Sequence, residues 1–171
     1  MNVAYFRQLA RYNAWANERL YAAAAELSDA ERKARRPSFF GSIHATLNHI
    51  LVGDRVWLAR LTAKRGGPLV GRPPEITSLD QELYENFDEL RAARIKEDQR
   101  ISELIGRYGE ADLERKLDYL NMAGEEHHTP MTEVLAHFFN HQTHHRGQVH
   151  GLLSDTRVAP PPLDLIRMNW A

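Results

Sequence analysis

Hydrophobic residues recur along the chain at helical spacing in four long stretches, separated by segments dense in glycine, proline or charge. From Val3 to Leu27 the series Tyr5, Leu9, Tyr12, Ala16, Leu20, Ala23, Leu27 predicts a first helix. Its second half is mostly alanine, which lets a neighbouring backbone come close and suits a bundle. Trp15 lies off that stripe, at the edge of the core or at a rim or subunit contact. Pro37 ends a basic linker, and Ser42 is the predicted cap of a second helix reaching about Ala63. Its core face reads Ile43, Leu47, Ile50, Asp54, Trp57, Leu61, with one carboxylate in the middle. Asp54 there needs a partner and is a metal ligand, an acceptor for a metal-bound imidazole or half of an ion pair.

The stretch GGPLVGRPPEIT over 66–77 is a loop, read as a crossover connection. Ser78 with Gln81 forms a capping-box pattern, and Leu79, Leu83, Phe87, Leu90, Ile101 and Leu104 predict a third helix to about Arg107. Asn86, Arg94 and Glu97 interrupt its stripe, and Arg94 and Glu97 are placed to pair with each other or with Asp54. Between Gly109 and Thr129 the helical pattern fails, and a short extended excursion or hairpin is expected around Leu117–Leu120. Glu125 and His128 satisfy the Glu-x-x-His spelling of di-iron bundles. They precede Pro130 in a glycine-containing loop, so that reading is set aside. Thr129 as N-cap and Pro130 as first helical residue open a last helix to about Asp155. The prolines 160–162 forbid its continuation, and Leu163, Leu165, Ile166, Met168 and Trp170 predict a tail lying on the bundle or on a partner subunit. The sum is an all-α four-helix bundle with one extended excursion before the last helix. At 171 residues it is read as a single domain, 1–171.

Composition narrows the function classes. With 22 basic and 23 acidic residues the net charge is −1, which provides no general attraction for nucleic acid. The run Arg32, Lys33, Arg35, Arg36 has no interleaved aromatic residues and reads as solvated. Cysteine is absent, so any metal must be held by nitrogen and oxygen. No apolar run approaches a membrane span, and the expected compartment is the cytoplasm.

The last helix concentrates the candidate chemistry, carrying five of the nine histidines. At about 100° per residue, Val134, Phe138, His141, His145, Val149 and Leu152 share a stripe roughly 80° wide. A single histidine on an apolar face is more often a hydrogen-bonded core residue. Two in register, four residues apart, form a clamp for a metal that favours imidazole, such as Zn, Ni, Cu or Fe. His137 and His144 flank the stripe, and a clamp shifted to His137 and His141 has the same spacing. His150 faces the other way, toward solvent or an interface. His49 projects to the side of the second helix's stripe, with Gly53 one turn away allowing close helix approach.

The strings NAWANERLYAAAAELS, FGSIHATLNHILVGDRVWLARL, NHQTHHRGQVHGLLSD and PPPLDLI together resemble the DinB family, the damage-inducible, YfiT-like metal-binding proteins, over nearly the full length. The resemblance implies a left-handed up-down-down-up bundle, a homodimer, and a Zn or Ni ion on three histidines. Carried over by motif, those are His49, His141 and His145. It also implies a transferase using small thiols such as bacillithiol or mycothiol, or isomerase or hydrolase chemistry. Family membership alone does not transfer chemistry, so attack of an activated thiol or water on an electrophilic small molecule is weighed against a non-catalytic metal-binding or stress-response dimer. Asn48, His137, His144, Gln148 and Asp54 are the candidates for supporting positions around such an ion.

Overall fold

A computed structural model describes the backbone of residues 1–170 and the side chains of residues 1–168. The chain is mostly helical, with one two-stranded antiparallel hairpin. Four long helices make the body: α1 (Val3–Ala25), α3 (Ile43–Leu61), α4 (Phe87–Arg107) and α6 (Met131–Leu153). Two short ones, α2 (Asp29–Lys33) and α5 (Glu110–Leu113), sit in connections. The hairpin pairs β1 (Lys116–Leu120) with β2 (Glu126–Pro130), and a 3-10 turn covers Leu165–Trp170.

Helix α1 packs on α4 and α6, and α3 packs on the same two. The apolar interior has two large clusters and a small third one of Val52, Val56 and Ile76. One large cluster gathers Leu20, Leu47, Ile50, Leu51, Leu90 and Leu153; the other, Phe6, Leu58, Ile101, Met131, Phe138 and Phe139. Between them lies a buried polar layer fed by all four long helices. Arg94 of α4 donates to Asp54 of α3 and pairs with Asp98 at 3.0 Å. Gln142 of α6 donates to the other oxygen of Asp54. Asn13 and Asn17 of α1 donate to Asp98 at 3.0 and 2.9 Å, and Arg146 of α6 donates to Asn13 and to Gln142. Burial works against the Arg94 charge, but Asp98 and Asp54 outweigh it and raise its pKa.

Several elements depart from the periodicity. The third long helix begins at Phe87 under the cap Asn86, not at Leu79, because the backbone before it is engaged elsewhere. Tyr84 N–H donates to Asn48 and its carbonyl accepts from Asn48 and His44, while Gln81 accepts from Thr77 rather than boxing Ser78. Glu97 pairs with Arg55 and Arg100 instead of Arg94 or Asp54. The last helix starts at Met131, since Pro130 is still in β2, opposite Lys116. The basic run is partly structural: Arg32 lies over the Phe87 ring at 4.2 Å and donates to the Ala24 and Leu27 carbonyls. Ser28 and Glu31 form a capping box that the sequence reading did not anticipate. His150 bonds the Pro161 carbonyl at 3.1 Å and so ties down the tail. Leu163 packs on the core, whereas Leu165 and Ile166 are exposed; the side chain of Trp170 lies outside the described residues. Trp15 is half-buried, with Arg19 over its ring.

Replacing Arg94 with Met leaves Asp54 and Asp98 without their buried counter-charge. The expected loss is about 3–5 kcal/mol, read from the urea midpoint, whereas Arg107→Ala at an exposed pair should cost under ~1 kcal/mol.

Candidate metal centre

Helix α3 carries His49 and α6 carries His141 and His145, and the antiparallel contact between these helices brings the three rings together. His49 Nε2 lies 3.2 Å from His141 Nε2 and 3.1 Å from His145 Nε2. One ligating nitrogen from each ring falls within 4.8 Å of the others. Two anchors set the tautomers. His49 Nδ1 is 2.7 Å from the Leu79 carbonyl and His145 Nδ1 is 2.8 Å from Gln148 Oε1. Both partners are acceptors, so Nδ1 carries the proton and each Nε2 turns a lone pair inward. Phe40 stacks on His49 at 4.0 Å and meets His145 edge-on, shielding that side from water.

The donor set fits a divalent ion. Bonds of 2.0–2.1 Å in tetrahedral geometry put ligand nitrogens about 3.3 Å apart, close to the spacing seen. Inward lone pairs at that distance repel one another, and a shared cation reverses the sign. Burial lowers all three pKa values: His141 falls to about 3, with His145 and His49 adding to the effect, His145 falls to about 4 despite the Gln148 bond, and His49 falls despite Leu79. The rings are therefore neutral and free to ligate at neutral pH.

Close approach of α6 to α3 depends on Gly53. A Cβ there would lie 2.7 Å from His141 Cε1. The supporting candidates divide. Gln148 holds His145, and His144 in turn sits 3.2 Å from Gln148 Nε2. Asn48 bonds the Tyr84 backbone, and Asp54 is consumed by Arg94 and Gln142, so neither reaches a ring of the cluster. His137 stands 6.0 Å from His141, ring to ring, but in the wall of an adjoining cavity of about 580 Å³. Val56, Trp57, Tyr119 and Met122 line this cavity, and His141 is shared between it and the cluster. Two contributors were missed from sequence: Phe40, which precedes the Gly41-Ser42 helix start, and the Leu79 carbonyl, which carries no side-chain signal.

A mostly helical chain whose long helices bring three imidazoles to one point defines the class: a protein that could hold a metal ion through histidines alone. A sequence model of the DinB family matches residues 1–171, and the chain belongs to that family. It is 24% identical to Protein DinB of Bacillus subtilis (strain 168) over 157 residues, covering 92% of this chain and 89% of the relative. Its fold is similar to that of a DinB-like protein from Bacillus cereus ATCC 10987, with TM-score 0.61 and 19% identity, covering 86% of this chain and 89% of the other.

Two outcomes are expected. Gly147, at an open position of α6, should tolerate Ala with a gain of about 0.5–1 kcal/mol, while Gly53→Ala should lose about 1 kcal/mol or more because the helix gain is overrun by the His141 clash. Urea midpoints decide. For chelator-treated protein, the unfolded chain binds protons at ~6.5 where the folded rings do not. Stability is thus full above about pH 6.5 and falls as pH drops toward 4, and His141→Phe should flatten that slope in urea titrations between pH 7.5 and 5.

Proposed function

We propose that the protein is a divalent-metal protein, with Zn or Ni held by His49, His141 and His145, that promotes attack of a small thiol or of water on an electrophilic small molecule. The observation that carries this reading is the convergence of three Nε2 lone pairs, two of them fixed by acceptors at Nδ1. When bound, an ion on three neutral nitrogens keeps its full charge and makes a water or thiol beside it more acidic. Leu79 and Gln148 hold the rings in the ligating tautomer. Phe40 closes one side, so access is from the cavity beside His141. That cavity is the place for the electrophile, and His137 in its wall, kept neutral by burial and by Arg60, is available to take a proton.

The same reading extends to assembly. The contacts Phe6 with Phe139 and Asn13 with Arg146 make α1 and α6 parallel, and Asp54 with Arg94 and Arg55 with Glu97 do the same for α3 and α4. The pairs Asn13 with Asp98 and Tyr21 with Phe87 run α1 against α4, which supports an up-down-down-up bundle. We take residues 1–171 as one domain, two copies as the working unit, and the cytoplasm as its compartment. No helix among the described residues is long and apolar enough to cross a membrane. Light scattering should return twice the 19.7 kDa of one chain.

One equivalent of Zn or Ni should bind per chain by calorimetry and elemental analysis. His145→Ala should weaken binding by roughly a hundredfold or more, and Gln148→Ala by about tenfold to a hundredfold. A screen of thiols and electrophiles with metal-loaded protein should yield product that His145→Ala abolishes. If metal raises the unfolding temperature but no thiol or water reaction appears, the protein is a non-catalytic metal binder instead.

A further inference from the structure

The cavity beside His141 contains a charge with no ion-pair partner among the described residues. Arg60, near the end of α3, is only 5% exposed. Its guanidinium lies 4.5 Å from the Trp57 ring centre and 4.9 Å from that of Tyr119. Its Nε donates to the Gly71 carbonyl at 2.8 Å. Among the described residues its two terminal nitrogens meet neither a hydrogen-bond acceptor nor a carboxylate. The other deeply buried arginines differ: Arg94 is paired with Asp54 and Asp98, and Arg146 is spent on Asn13, Asn17 and Gln142. The terminal nitrogens open onto the cavity rather than being sealed in the core, and a fork of free donors held between two rings matches a planar oxyanion.

The rest of the cavity agrees with that polarity. Among the described residues, none that line it is Asp or Glu. Val56, Trp57, Tyr119 and Met122 offer an apolar and aromatic wall, and at about 580 Å³ the space is in the range for a small molecule. His127, stacked on Tyr119 at 5.4 Å, and Asn121 add polar groups on the hairpin side.

We propose that this cavity binds a small-molecule carboxylate with an apolar body, the carboxylate seated on the terminal nitrogens of Arg60 and the body against Trp57 and Tyr119. Binding stands on these residues alone. That the ligand is the electrophilic substrate rests on the function proposed above, because His141 belongs both to the cavity wall and to the three-ring cluster.

The test uses the full chain freed of metal with chelator, titrated by calorimetry with 3-phenylpropionate and with its uncharged amide. The acid should bind with a Kd of about 1 mM or tighter and at least about tenfold better than the amide. Arg60→Met should erase that preference, and Arg60→Lys should keep part of it. Equal affinity of acid and amide for the unaltered protein, no acid binding at roughly ten times that concentration, or a preference that survives Arg60→Met overturns the proposal and leaves Arg60 a structural residue. The acid and amide comparison decides even if the Met variant fails to fold. Zinc titration of Arg60→Met should match the unaltered protein. If zinc fails to bind the unaltered chain while acid discrimination persists, the metal reading falls and the anion site stands.

Discussion

The contact on which the rest depends is the carboxylate of Asp54, fully buried at the middle of α3, accepting from Arg94 of α4 on one oxygen and Gln142 of α6 on the other. Apolar faces alone permit helices to slide by a turn, because one leucine packs much like the next. A buried charge does not permit it, since a slipped register leaves the carboxylate and guanidinium unpaired at a cost of several kcal/mol. Asp98 extends the constraint to α1 through Asn13 and Asn17. The layer thus sets the axial position of all four long helices, and the apolar clusters above and below supply the burial that drives assembly.

That register positions the histidines. Gln142 is the residue after His141, and Asp54 the residue after Gly53, so locking Asp54 to Gln142 seats the His141 ring on the glycine. One turn earlier on α3 and one turn later on α6, His49 and His145 are brought together edge-on by the same antiparallel step. Stability and site are coupled here. The polar layer tolerates no slip, the glycine surrenders helix propensity, and three imidazoles, one buried and two half-buried, are held with lone pairs converging.

The connections complete the site through backbone groups. The segment before α4 is kept out of helix by His44 and Asn48, which claim the Tyr84 backbone, and by His49, whose Nδ1 bonds the Leu79 carbonyl. The hairpin brings Tyr119 and His127 over Trp57 and Arg60 and makes a cavity where four helices alone would leave an open flank. Residues from the loop after α3, the hairpin and two helices therefore share one wall.

Periodicity by itself determined four long helices, the extended excursion before the last of them, and the pairing of His141 with His145 on one face; the motifs shared with the DinB family singled out His49. Those features are local: a stripe every 3.6 residues, a cap, a proline, a spacing of four. Tertiary structure alone decided which carboxylate was structural, since nothing in the stripe of α3 distinguishes a ligand from an ion-pair partner until Arg94 arrives from α4. It also decided that residues 79–86 are not helical, that Phe40 covers His49, and that Arg60 has no counter-charge among the described residues. In each case the deciding partner is distant in sequence or is a backbone carbonyl, and neither leaves a trace in the pattern of polar and apolar positions.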